Sequence, residues 1–476
     1  MERHRAIRLL FTSAALAASP VVMPATVHAQ AFGLNEIGSC AVSRAFANTA
    51  SPCKDASTIF WNPAAAASLP GWNVTFGAAA IDLSGSFTQD TTLRKYDADL
   101  KAEWVPHVFI NYHNPKSKWA WGIGMYVPYG LTSQWTDSFP GRFSAKKASL
   151  QTIYVQPNFA YQISPNWSIG AGPIWGHSSV ELIQAVDLSQ QLTGAGGPTF
   201  GQIGIASGTE FARVRLKGSA DAFGAQFGIQ GHPSPNWMLG LRFLTPLDFK
   251  YDDADATFTQ VATGLTLGAA LPGTSGTIPA GTPIDQLVGT QFATGGPLTA
   301  QKASTKITHP AQVQGGIAYS GFKSWLLEAD YAWVGWKRFD VLPVDFQGGA
   351  ATSSRTLLEN YNNSSSIRLG AEYTTSYHDL KLRGGFSGVA SAAPPETVTP
   401  LLPEQDRTYW TGGLGLPIGA GFALDAAYAR INTNGARGRI AERTTTQNTT
   451  ATAVQLNTGV FDLSANIFSI SLKYSR

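Results

Sequence analysis

From Trp72 onward, bulky apolar side chains recur at every second position, yet no stretch of the chain offers about 18 uninterrupted apolar residues. Trp119, Trp121, Ile123, Met125 and Val127 alternate with Ala120, Gly122, Gly124 and Tyr126. Trp325, Leu327, Ala329, Tyr331 and Trp333 do the same against a side that carries Glu328 and Asp330. Leu380 and Leu382 oppose Lys381 and Arg383. A period of two is the signature of strands, whose successive side chains point to opposite faces. A helical crossing of a bilayer is therefore excluded. If the chain lies in a membrane, only a closed barrel satisfies every backbone hydrogen bond. Charges opposite the aromatics fit a polar lumen behind a lipid-facing wall. A secreted soluble sandwich alternates as well, with its bulky face turned inward, and alternation alone does not separate the two.

Composition adds weight to the barrel. Trp 13, Tyr 15 and Phe 25 combine with only 14% charged residues, which is what lipid-facing and lumen-facing positions produce when they alternate. Strands are predicted over 73–83, 101–113, 119–129, 148–163, 166–184, 211–230, 236–258, 303–320, 323–342, 364–376, 379–391, 405–418, 421–434 and 453–475. Fourteen is an even number, as bacterial single-chain barrels require. Tight turns such as Ser164-Pro165-Asn166 and Pro233-Ser234-Pro235-Asn236 contrast with long Gly/Thr/Ala/Gln-rich stretches at 187–210 and 259–302, the pattern of short periplasmic turns and long extracellular loops. The last strand alternates Phe468, Ile470, Leu472 and Tyr474 with serines and a lysine. This resembles the terminal signal read by the barrel-assembly machinery, except that it continues to Arg476 instead of ending on an aromatic residue.

The first residues read as a removable secretion signal: Arg3, Arg5 and Arg8 precede a small and apolar run from Leu9 to Val22, and Val27-His28-Ala29 places cleavage after Ala29. The rest of the chain is close to neutral, and nothing argues for a nucleic-acid partner. Cys40 and Cys53 are the only cysteines. An oxidising compartment favours a disulfide between them, with two free thiols as the alternative. Enzymatic readings find no support in Gly-x-Ser-x-Gly, His-Glu-x-x-His or phosphate-loop motifs, and the histidines show no metal spacing. No catalytic residue, metal or cofactor is expected.

Between the signal and the first strand lie Leu34-Asn35-Glu36, Arg44-Ala45-Phe46, Asp55-Ala56 and Asn62-Pro63-Ala64, which do not alternate and suit short capped helical turns. In this order and spacing they resemble the N-terminal plug of the outer-membrane long-chain fatty-acid transporter family, which includes aromatic-hydrocarbon uptake channels. The resemblance continues through Gly122-Ile123-Gly124, Pro157-Asn158-Phe159-Ala160-Tyr161, Trp333-Val334-Gly335-Trp336, Arg368-Leu369-Gly370-Ala371-Glu372-Tyr373, Leu382-Arg383-Gly384-Gly385 and Pro403-Glu404-Gln405-Asp406-Arg407.

The resemblance implies an all-β protein of the outer membrane: a signal at 1–29, a small helical plug at 30–71 and a fourteen-stranded antiparallel transmembrane barrel over 72–476. It further implies an apolar lumen site, lateral release of a hydrophobic ligand into outer-membrane lipid, and a monomer. Asn62, Pro63 and Ala64, with Asn35 and Glu36, match the plug motif, and Asn62 is expected to hydrogen-bond the barrel wall. Pro128, Tyr129 and Gly130 match the third-strand kink, where proline removes a ladder donor and glycine tolerates a bend. A fatty carboxylate needs cations, yet 176–190 holds no Lys or Arg. Arg142, Lys146, Lys147, Arg213 and Arg215 are the candidates, with Lys217 nearby. Fatty acid is the first expectation, an uncharged hydrocarbon its rival, and an unplugged diffusion porin the reading from another class.

Overall fold

A bilayer admits no unpaired backbone, and the chain meets that condition by closing one sheet on itself. The computed structural model describes residues 31–194, 197–273, 276–349, 354–439, 444–445 and 458–476. The predicted secretion signal lies outside the described residues. The barrel strands are β1 (Gly71–Gln89), β2 (Glu103–His113), β3 (Trp119–Gln134), β4 (Lys147–Ser164), β5 (Trp167–Asp187), β6 (Glu210–Ser234), β7 (Trp237–Leu244 with Leu247–Gln260) and β8 (Gln301–His309 with Gln312–Tyr319). They continue as β9 (Trp325–Val334 with Val341–Phe346), β10 (Arg355–Leu358 with Ser364–Thr374), β11 (Lys381–Val389), β12 (Arg407–Gly419), β13 (Phe422–Thr433) and β14 (Thr458–Ser475). Each pairs antiparallel with its neighbours, and β1 meets β14 from Asn73↔Ser475 to Gln89↔Gly459, which leaves the sheet without an edge.

All fourteen predicted strands are present, with differences that have local causes. β7 and β8 break at Pro246 and Pro310, where a ladder donor is missing. β9 is interrupted because Trp336 turns into the lumen and is fully buried. β3 runs five residues beyond its predicted end, past a one-residue register shift.

The parity of the alternation separates barrel from sandwich. On β14, Phe468 and Ile470 are 57% and 53% exposed, whereas Ser469 and Ser471 are buried. The bulky face is the outer one, which a soluble protein would not tolerate over a whole surface. At the short-turn rim, aromatic rings pair across neighbouring strands: Trp119 with Tyr161 at 4.7 Å, Trp237 with Tyr319 at 4.7 Å and Trp325 with Tyr373 at 4.9 Å. Such a girdle suits the membrane–water boundary.

The segment 31–70 fills the interior with helical turns at Ser39–Ser43, Thr58–Trp61 and Pro63–Ser68. Its backbone is satisfied largely by the wall. Asp330 accepts N–H groups of Asn48 and Thr49 at 2.8 and 2.9 Å, and Glu328 those of Ala50 and Ser51 at 2.8 and 3.1 Å. Glycine permits the close approach: a Cβ on Gly240 would lie 2.0 Å from Thr49 O. Cys40 and Cys53 are joined by a disulfide within this segment. Closing a loop of that size contributes about 3 kcal/mol. Replacing both cysteines by alanine is expected to leave the heat-modifiable gel shift of the folded barrel unchanged while raising hydrogen exchange of the 38–55 amides by about two orders of magnitude; unchanged exchange would show that the wall alone fixes the plug.

Candidate functional site

The site begins where two strands separate. β2 and β3 pair from His113↔Ala120 to His107↔Tyr126, and there the pairing between them stops among the described residues. Between Tyr126 and Tyr129, β3 uses one residue more than β4, whose partners are Tyr154 and Thr152. This is a bulge, and it reverses the faces of the residues that follow. Pro128 sits in it. The edge of β3 left without β2 is taken by the chain's own N-terminal segment: Leu34 N donates to Pro128 O at 2.8 Å and Gly130 N to Phe32 O at 3.0 Å. Near the long-loop rim, Asp99 N donates to Gln134 O at 2.9 Å and Ala98 bridges Trp135. Between Tyr126 and Gln134, β3 thus has no β2 partner among the described residues, and other segments of the chain lie along its edge.

Behind this stretch lies an apolar cavity, partly open to solvent. Its apolar lining includes Leu34, Ile81, Trp104, Leu131, Leu150 and Leu402. Its lining runs from Trp104, 69% exposed on the outer wall, to Leu402, buried inside. A second, smaller cavity has Phe32, Leu131, Leu150, Ile307, Phe339 and Leu402 among its walls and no charged lining residue. Leu131, Leu150 and Leu402 belong to both cavities.

Phe32 stands at their junction. Its ring contacts Trp336 at 4.6 Å, Phe339 at 5.5 Å, His309 at 5.9 Å and Tyr129 at 6.1 Å. Tyr129 in turn lies over His309 at 4.0 Å and accepts a hydrogen bond from Gln312 at 2.9 Å, tying the kink to β8 across the lumen. The residue before Phe32 is clamped as well: Ala31 N donates to Glu404 Oε1 at 2.8 Å, Ala31 O accepts from Arg407 at 2.9 Å, and Arg407 pairs with Glu404 at 2.6 Å. Burial pushes the carboxyl groups of Glu36 and Glu404 above the ordinary carboxylate range, with Arg407 pulling both down.

The predicted residues fall into three groups. In the plug, Asn62 donates to Thr49 O at 2.9 Å and Ile229 O on β6 at 3.0 Å, and its Oδ1 accepts from Ala64 N at 3.2 Å. Pro63 O accepts from Asn158 of β4, and Asn35 lies against Arg368 of β10. Glu36 lines the larger cavity. Pro128, Tyr129 and Gly130 are at the split. The five cation candidates are elsewhere, each on a carboxylate of this chain: Arg142 and Arg213 on Glu210 at 3.1 and 2.8 Å, Lys146 on Asp137, and Lys147 and Arg215 on Glu181, both at 2.5 Å. None of the five lines either apolar cavity. Phe32, His309, Phe339 and the Glu404–Arg407 pair were not singled out as site residues, because their meeting depends on strands far apart in sequence. The Trp333–Trp336 and Pro403–Arg407 motifs are the sequence signal that points to them.

The match to the model of outer membrane transport proteins (OMPP1/FadL/TodX) extends over residues 21–475. The chain belongs to this family. Its members are transport channels of the outer membrane, not enzymes. A long-chain fatty acid transport protein of Escherichia coli is 24% identical over 435 residues, covering 88% of this chain and 90% of that one. Among solved structures, a FadL homologue of Pseudomonas aeruginosa superposes with a TM-score of 0.75 at 19% identity, covering 94% of this chain and all of that one. The toluene transporter TbuX of Ralstonia pickettii gives 0.62 at 18%, with 94% and 99% covered. These two likenesses establish the fold of a FadL/TodX-type barrel.

Asn62→Ala removes one hydrogen bond that seats the plug on β6, at Ile229 O, and one that ties two turns of the plug together, at Thr49 O, at a cost of about 1–3 kcal/mol. The expected result is a folded barrel with raised single-channel current in planar bilayers; wild-type conductance would mean that the remaining contacts suffice.

Proposed function

We propose that this outer-membrane transporter takes up long-chain fatty acids, binding the tail in the apolar lumen site and releasing the molecule sideways through the split between β2 and β3. The observation that carries the reading is the continuity of an apolar cavity from the buried Leu402 to the exposed Trp104, beside the stretch where β2 and β3 no longer pair. An acyl chain gains about 0.8 kcal/mol per buried methylene on entering such a cavity, and a lateral exit delivers it to hydrocarbon without a passage through water. The Escherichia coli relative is named for long-chain fatty acids.

Neutral hydrocarbon is the second reading. It is favoured by the walls of the two cavities, whose lining holds a single cation, Arg407, already paired with Glu404. The toluene transporter among the structural neighbours belongs with that class.

In this scheme the signal at 1–29 is removed in export, the barrel-assembly machinery inserts a monomer into outer-membrane lipid, and the plug at 30–71 keeps the lumen closed to polar solutes. Phe32, pinned between kink and lumen, separates the two cavities and must swing for ligand to pass.

A strain lacking the gene is expected to lose at least about tenfold in initial uptake of labelled oleate, a defect restored by the wild-type gene and not by a Gly130→Trp variant whose indole fills the split. Normal oleate and toluene uptake in the deletion strain would refute transport; full rescue by Gly130→Trp would refute the lateral route alone.

A further inference from the structure

The cations singled out in the sequence do not enter the lumen, and their position suggests another task. Beyond the bulge, Thr132 and Gln134 of β3 alternate with the buried Ser133 and Trp135, so they face outward. On β4, Ser149 and Gln151 alternate with the buried Ala148, Leu150 and Thr152. On β5 and β6, Glu181 and Lys217 are register partners on the same outer face. Together with Asp99, Lys101, Glu103 and Lys147 these residues wall a recess on the outside of the barrel, open to solvent. The recess shares Glu103, Thr132 and Gln151 with the apolar cavity behind the split. On β4 it begins where the lipid-facing run ends, since Gln151, Ser149 and Lys147 follow the exposed Ile153. It therefore lies at the height of the head groups of the outer leaflet.

Its charges are unevenly used. Lys147 and Arg215 share one carboxylate, Glu181. Asp99 accepts from Gln134 and Glu103 from Thr132. Lys101 and Lys217 have no ion-pair partner among the described residues, and both are exposed. Counting Arg215, four cations meet three carboxylates, and the two unpaired cations are the ones free to move toward a ligand.

We infer that this recess holds the carboxylate of an acyl-chain ligand whose tail occupies the cavity in the split, with Lys101 and Lys217 as the residues that contact it. The inference rests on the fatty-acid reading and deepens it: tail and head are recognised in two adjoining compartments, an apolar one with no free cation and a hydrated one with two. A carboxylate held there keeps its water and its counter-charge while the tail is buried, which avoids the desolvation that an unpaired anion in the lumen would suffer.

The test uses purified full-length protein in nanodiscs and measures equilibrium binding of palmitate and of hexadecanol, the uncharged ligand of equal chain length. For wild type, palmitate is expected to bind more tightly, with an advantage that shrinks at about 0.5 M salt. Lys101→Gln/Lys217→Gln should weaken palmitate about five- to tenfold and leave hexadecanol unchanged; both side chains are exposed, and the heat-modifiable gel shift checks the fold. Equal binding of the two ligands by wild type, or no change in palmitate affinity in the double variant, overturns the head-group site while leaving hydrophobic transport intact. Failure of wild type to bind either ligand overturns the transport reading itself. If lipid A displaces palmitate from wild type but not from the double variant, the recess belongs to an outer-leaflet phosphate, which also overturns the proposal.

Discussion

Every feature of this molecule follows from the requirement that no backbone donor or acceptor be left facing hydrocarbon. Fourteen strands meet it by pairing β1 with β14 over seventeen consecutive residues, Asn73–Gln89 on β1, leaving no terminal edge. The lapse in pairing between β2 and β3 is handled in the same currency of hydrogen bonds, because the segment around Gly33 supplies rungs at Pro128 and Gly130. The split is tolerable because another part of the chain lies along it.

Closing a barrel of this width creates a second problem, an interior too wide to be filled by the wall's own side chains. The chain solves it with a segment of short helical turns that cannot satisfy their own backbone and borrow acceptors from the wall, chiefly Glu328 and Asp330. Where the plug ends, aromatic rings take over, and the remaining free space is apolar. Polar wall and apolar pocket coexist because the carboxylates face the plug while Phe32, Phe339 and Leu402 face the void.

The strands were legible because lipid outside and plug inside impose opposite demands on successive residues, so that Trp119 to Val127 betray both faces at once. What alternation left undecided, the inward or outward sense of the bulky face, needed coordinates: the burial of Ser469 beside exposed Phe468 decides it. Asn62 and Pro128 could be picked from motifs because each also has a local part to its role, a cap over Ala64 and a missing donor. The lumen box around Phe32 could not, since His309, Trp336 and Phe339 come from regions of the chain that share no local signal with residue 32. The bulge was invisible for a different reason. A one-residue shift leaves hydrophobicity unchanged and alters only which face each residue occupies, turning Leu131 and Trp135 inward and Thr132 outward.

The plug's dependence on the wall also fixes an order of events. Residues 48–51 find their acceptors on β9, Asn62 on β6, and Ala31 on Glu404 and Arg407 beside β12. None of those partners exists in place until most of the sheet has formed. The N-terminal segment therefore finds its wall contacts only once those strands are in place, with the Cys40–Cys53 link and its own short turns as internal restraints. A barrel still missing β6, β9 or β12 offers this segment too few acceptors to seat it, so the wall's integrity and the plug's position depend on the same strands.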